Sequence, residues 1–182
     1  MTTRRSTGPL RAVAALAASL GLVGASAMDV SKIPLRLAFD VSGEGNSAQT
    51  LFDVREDALY AVNLTFFYDD AEHPTHDRSR VWHSVGGAER DPQTGQWQEP
   101  GAPLAVEVTL QRQDGGEAAD LLRKRVDQPK LSSWGEGVLT ARLVVTRLTP
   151  GRYRLAVRSL QAAPALQDVR AAIGVVRAYA GK

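Results

Sequence analysis

The sequence predicts an all-β fold, an antiparallel sandwich of immunoglobulin-like character with one short helix in a long connection. Three observations carry that expectation. Apolar residues recur with period two along most of the chain. Clusters of turn residues separate the alternating runs. A Pro150-Gly151 pair leads straight into Tyr153, Leu155 and Val157 on one strand face.

The elements follow in order. Ile33, Leu35, Leu37, Phe39 and Val41 alternate with polar or small residues, which predicts a strand with one buried face. Gly43-Glu44-Gly45-Asn46 is a turn. Thr50, Phe52 and Val54 form a shorter run before Glu56-Asp57, and Tyr60, Val62, Leu64, Phe66 and Tyr68 place five large residues on one face. The connection 69–101 is then 33 residues long, more than a compact β domain needs. Within it 75–85 predicts a helix, capped by Thr75 or Asp77 and ended by Gly86-Gly87, with Val81, Trp82 and Val85 on one face. Leu104, Val106, Val108 and Leu110 resume the alternation, closed by the hairpin turn Asp114-Gly115-Gly116. Residues 121–126, with Arg123-Lys124-Arg125, read as an edge strand guarded by charge. Trp134-Gly135 is placed in a turn. Leu139, Ala141, Leu143 and Val145 form another strand, with Val144 leaving its back face partly apolar.

Pro150 presets the first central position of a tight turn and Gly151 accepts positive φ at the second. Tyr153 then reads as structural, its ring buried and its hydroxyl returned to backbone in the manner of a tyrosine corner. Pro164 breaks the chain before a last strand over 169–179.

Residues 1–27 read as an address. Arg4, Arg5 and Arg11 form a basic start, 12–24 runs apolar for thirteen residues, and Ala25-Ser26-Ala27 suits a signal peptidase. The run is too short to cross about 30 Å of hydrocarbon. The Arg4-Arg5 pair lacks the apolar residues of a twin-arginine signal, so the general export route is expected. Cleavage leaves 28–182, a length that suits one domain. The whole chain has 22 basic and 20 acidic side chains; the leader takes three of the basic ones, leaving 19 against 20. The basic character that would favour nucleic acid therefore leaves with the leader. There is no cysteine, hence no disulfide and no lipidated anchor. The expectation is an exported protein, periplasmic or extracellular, with no cofactor, no nucleic acid and no membrane anchor.

Candidate chemistry is thin. His73, His76 and His83 fall within eleven residues among Asp69, Asp70, Glu72 and Asp77, a donor set that suits zinc, copper or nickel. Pro74 stiffens the loop between the first two, and a solvated acidic loop explains the same residues, so no metal is assigned. Ser79 or Ser84 with His83 and Asp77 would supply hydrolase residue types, without a nucleophile elbow around either serine. The acid pairs Asp69-Asp70 and Glu56-Asp57 read as surface charge. No enzyme is expected.

Binding is read from the tryptophans. Trp82, Trp97 and Trp134 all lie outside the clear strands, where an aromatic ring either anchors a partner or plugs a loop onto the core. Packing is the simpler reading for Trp82, which shares its helix face with Val81 and Val85. Trp97, between Gln96 and Gln98, and Trp134, between Ser133 and Gly135, leave both readings open. With Arg78 these three are the candidate binding residues. The expected function is a non-enzymatic binding protein with a protein partner in the envelope; the alternative is a carbohydrate- or peptidoglycan-binding module with tryptophan platforms.

Several short motifs occur in a fixed order: Arg78-x-Arg80-Val81, Val85-Gly86-Gly87, 99–104 (EPGAPL), Ser133-Trp134-Gly135, 148–154 (LTPGRYR) and Pro164-Ala165-Leu166. In these the chain resembles an exported bacterial family known as domain of unknown function 5625. The resemblance implies an exported β-rich protein over nearly the whole mature chain. It supplies no catalytic residues. Many members resemble lipoproteins, from which this chain departs in having no cysteine. Gene neighbourhoods of some members imply an immunity or accessory role toward a secreted effector.

Overall fold

The computed structural model describes residues 30–69, 74–113 and 119–179. The leader 1–27, the loop residues Asp70, Glu72 and His73, and the turn Asp114-Gly115-Gly116 lie outside the described residues. Twelve strands, an α-helix and a 3-10 turn follow one another: β1 (Val30–Ser31), β2 (Leu35–Ala38), β3 (Ser47–Val54), β4 (Ala58–Phe67), α1 (Pro74–Ser84), β5 (Glu89–Arg90), β6 (Trp97–Gln98), β7 (Ala105–Arg112), β8 (Ala119–Asp127), β9 (Leu131–Gly135), β10 (Val138–Leu148), β11 (Gly151–Ser159), the 3-10 turn (Pro164–Leu166) and β12 (Ala171–Arg177). Two five-stranded sheets pack as a sandwich, one ordered β1-β3-β11-β7-β8 and the other β2-β12-β4-β10-β9. Strands β5 and β6 form a separate hairpin. Among the described residues every pairing is antiparallel except that of β1 with β3.

The alternation translates directly into the core. Tyr60, Val62, Leu64 and Phe66 of β4 face Phe52, Leu104, Leu110, Leu139, Tyr153, Leu155 and Ile173 in one buried cluster. A bulge in β10 between Arg142 and Val144 lets Leu143 and Val144 both turn inward, which accounts for the apolar back face seen in the sequence. The single strand expected over 33–41 is shorter. Only Leu35–Ala38 pairs, with β12, while Phe39 stays in the core and donates its N–H to Ala171 O at 3.0 Å. The last strand is likewise trimmed to Ala171–Arg177, and Tyr179 is exposed.

The turn into β11 departs from the expected tight turn: Gly151 takes φ +155°, nearly extended and already the first residue of β11, instead of the roughly +80° of a type II turn. Tyr153 is buried, stacks on Phe52 with centroids 5.8 Å apart, and donates its hydroxyl to Thr149 O at 2.8 Å. Tyr153→Phe keeps the stack and leaves that carbonyl short of a donor. We expect a loss of about 1 kcal/mol, read as a melting temperature lower by about 3 °C; an unchanged melting curve contradicts the assignment.

Candidate functional site

The connection between β4 and β7 builds a surface feature in a definite way. Pro74, with no N–H to leave unpaired, begins α1. Asp77 does not act as the expected cap: its carboxylate accepts from the N–H of Asp69 at 2.7 Å and from Arg80 at 2.9 Å, fixing how the chain enters the helix. Those bonds, the Asp69 N–H first, hold the Asp77 pKa below its ordinary 3.8. A depressed carboxylate contributes stability above the unfolded pKa and loses it as pH falls through the folded value. Asp77→Asn is therefore expected to lower the melting temperature slightly at pH 7 and to match the parent once pH has dropped well below 3.8. Parallel curves across that window count against the role.

At the far end, Gly86 at φ +62° closes the helix with two bonds, Gly86 N–H to His83 O at 3.1 Å and Gly87 N–H to Trp82 O at 2.9 Å. A Cβ on Gly87 would lie 2.3 Å from the Trp82 ring. The indole lies against this bare backbone and donates Nε1–H to Ala88 O at 3.1 Å. Val81 and Val85 are fully buried and join the core, and the half-buried Trp82 ring packs against it.

Trp134 is not in a turn. It lies on β9, and the turn is the following Glu136-Gly137, with Gly137 at φ +67°. Its register partner is Leu139, a core residue, so Trp134 emerges on the inward side of its sheet. Strand β9 is the sheet edge, however, and the ring overhangs the core, 65% exposed. There it meets Trp82 edge to face, centroids 6.1 Å apart. Tyr68 steadies the corner from below, its hydroxyl donating to Gly135 O at 2.7 Å.

Three of the four candidate binding residues thus share one face. Arg78, Ser79, Trp82 and His83 line a shallow hollow of about 370 Å³ beside the tryptophan pair. Arg78 is exposed and makes no ion pair among the described residues. His83 Nδ1 pairs with Glu89. Trp97 is not part of this face by any ring contact among the described residues. It stands on the β5–β6 hairpin, 72% exposed, and so is on a short strand and not in a loop. Asp91 builds that hairpin by accepting the N–H groups of Gln93 and Thr94. Those two bonds, Thr94 first, hold its pKa below 3.8.

The other candidates disperse. His76 is exposed on α1, His73 lies outside the described residues, and among the described residues no three His, Asp or Glu side chains converge. Ser84 donates to Arg80 O at 2.9 Å, His83 pairs with Glu89 and Asp77 with Arg80, while Ser79 lines the same hollow as His83. Glu56 and Asp57 pair with Arg177 and Arg147. On β8, Arg123 pairs with Asp120 and Arg125 with Asp127 along the sheet edge, as its guarded reading expects. A hollow of about 550 Å³ at the end of the sandwich, lined by Lys32, Arg55, Glu56, Tyr60 and Arg177 among others, has no sequence signal. It forms where β1, the β3–β4 turn and the end of β12 meet. Among the described residues no helix is long and apolar enough to cross a membrane.

Comparison with solved structures places the architecture. A protein from Sulfurospirillum deleyianum, known from its crystal structure, is similar at a TM-score of 0.66 and 16% identity, with 80% of this chain and 97% of that one covered. At that identity the likeness shows the fold alone. A family 35 carbohydrate binding module from an environmental isolate aligns at 15% identity over 85% of this chain and 88% of its own, and the Eiger TNF of S. frugiperda at 13% over 82% and 96%. Their TM-scores of 0.34 and 0.26 carry no argument. No curated protein matches in sequence. A family model does match, over residues 36–177, and it takes in the tryptophan face and both sheets apart from β1 and the first residue of β2. The chain belongs to the family described as a domain of unknown function (DUF5625).

Proposed function

We propose that this chain is an exported, non-enzymatic binding protein that takes up a protein partner on the face made by α1 and β9. One observation carries the reading: Trp134 stands 65% exposed on a sheet edge, braced edge to face by Trp82. A large exposed ring held in one orientation loses little entropy on binding, which is the character of an interface anchor. The edge itself supports this. None of the five residues of β9 is charged, whereas β8, at the edge of the other sheet, carries Arg123, Lys124 and Arg125. An unguarded edge accepts an extended segment through its main chain, with Trp134 and Arg78 reading the side chains beside it. Immunoglobulin-like character belongs to the same proposal, supported by the Tyr153 hydroxyl bond to Thr149 O. A secreted effector is the partner that an immunity or accessory role requires.

A second reading rests on Trp97, whose ring is 72% exposed between Gln96 and Gln98 and suits stacking on a sugar. Affinity capture of envelope proteins, run beside co-sedimentation with cell-wall glycan, separates the two. The protein reading expects one defined protein, retained by Trp97→Ala and lost with Trp134→Ala. Glycan binding lost with Trp97→Ala, without a captured protein, favours the second.

A further inference from the structure

The outward face of the sheet β2-β12-β4-β10-β9 holds a hollow of about 770 Å³ that no candidate residue from the sequence occupies. Phe67, the last residue of β4, is part of its lining. Two guanidinium groups lie over that one ring, Arg36 Cζ at 5.2 Å from the centroid and Arg170 Cζ at 6.0 Å. Ala38 on β2 lies opposite Ala172 on β12, and Thr65 of β4 is next in the same row. Ala38 and Ala172 line the hollow with small side chains. The walls are pinned by main chain: Phe67 N–H donates to Arg170 O at 2.9 Å and Phe39 N–H to Ala171 O at 3.0 Å.

Among the described residues neither Arg36 nor Arg170 makes an ion pair. Two cations gathered on one ring without a carboxylate repel each other, and an oxyanion between them relieves that. A guanidinium held by a ring's π face and by no carboxylate keeps its in-plane N–H donors for a ligand, and that planar fork takes a carboxylate in a bidentate grip. Asp40 and Asp168 stand on the rim. Asp40 is already engaged, accepting from Ser42 N–H at 2.9 Å and Ser42 Oγ–H at 2.7 Å, bonds that keep it ionised. Two negative rim groups disfavour a dianion or a polyanion and admit a single compact charge.

We propose that this hollow binds a small organic carboxylate, gripped by Arg36 and Arg170 across Phe67. The site uses none of the residues of the α1–β9 face, so the two proposals stand or fall separately. A carboxylate of this kind comes from a peptide or from a sugar acid. Calorimetric titration of the full chain at low ionic strength with N-acetylglycine, glucuronate, glucose and inorganic phosphate tests it. One of the two carboxylates should saturate with a millimolar or tighter Kd, and the tighter of the two names the source. Glucose should give no heat. The double variant Arg36→Gln, Arg170→Gln, both sites exposed, should keep the parent melting temperature and weaken that binding at least tenfold. The proposal is overturned if neither carboxylate saturates, if the double variant binds as the parent does, or if phosphate binds tighter than both.

Discussion

Gly101→Ala is expected to lower the melting temperature by about 10 °C, far more than an ordinary loop substitution. Three stretches of bare backbone stack at this point. Gly101 N–H donates to Gly86 O at 3.1 Å, and Ala102 N–H donates to Pro129 O at 3.0 Å. A Cβ on Gly101, at φ +83°, would lie 2.2 Å from Gln128 O, and one on Gly86 would lie 2.0 Å from Gly101 O. Both atoms are main chain and have little room to move. The junction ties the end of α1 to the β8–β9 connection, which is why Trp82 and Trp134 come together. Gly95→Ala is the control. Its φ is +69°, with nothing within 4 Å of the added carbon, so it reports conformational strain without the collision. Strain of that kind costs about 1 kcal/mol, or about 3 °C. Equal losses at the two glycines would mean that the contact at Gly101 has no role.

Trp134→Ala should weaken partner capture by about 30-fold, the scale of a buried aromatic anchor worth about 2 kcal/mol. Its effect on folding should be small, because the ring is mostly exposed and the contact with Trp82 is worth about 1 kcal/mol. Removal of an anchor is thereby distinguished from general destabilisation. Arg78→Ala should act in the same direction and more weakly, as an exposed charge at the rim.

The β architecture was legible because period two maps onto sheet faces without ambiguity. Val81 and Val85 were also legible, since four-residue spacing puts both on one side of a helix. Trp134 was not. Its inward register with Leu139 follows from alternation, but its exposure depends on β9 being an edge strand, a property of the whole sheet order. Arg36, Phe67 and Arg170 lie 31 and 103 residues apart in sequence and meet only through strand pairing. No local pattern marks them. Gly86, Gly87 and Gly101 were readable as turn residues, whereas their closeness to Trp82 and Gln128 was not.

The central claim, that the α1–β9 face receives a protein partner, is tested most directly by photo-crosslinking in the producing cell. A crosslinker at Ser133, next to Trp134 on the exposed edge, should yield one defined protein adduct, and the adduct should vanish with Trp134→Ala and persist with Trp97→Ala. The same crosslinker at Arg158, on the β11 strand inside the other sheet, should give none. An adduct at Ser133 that survives Trp134→Ala, or no adduct there beside one at Arg158, contradicts the account.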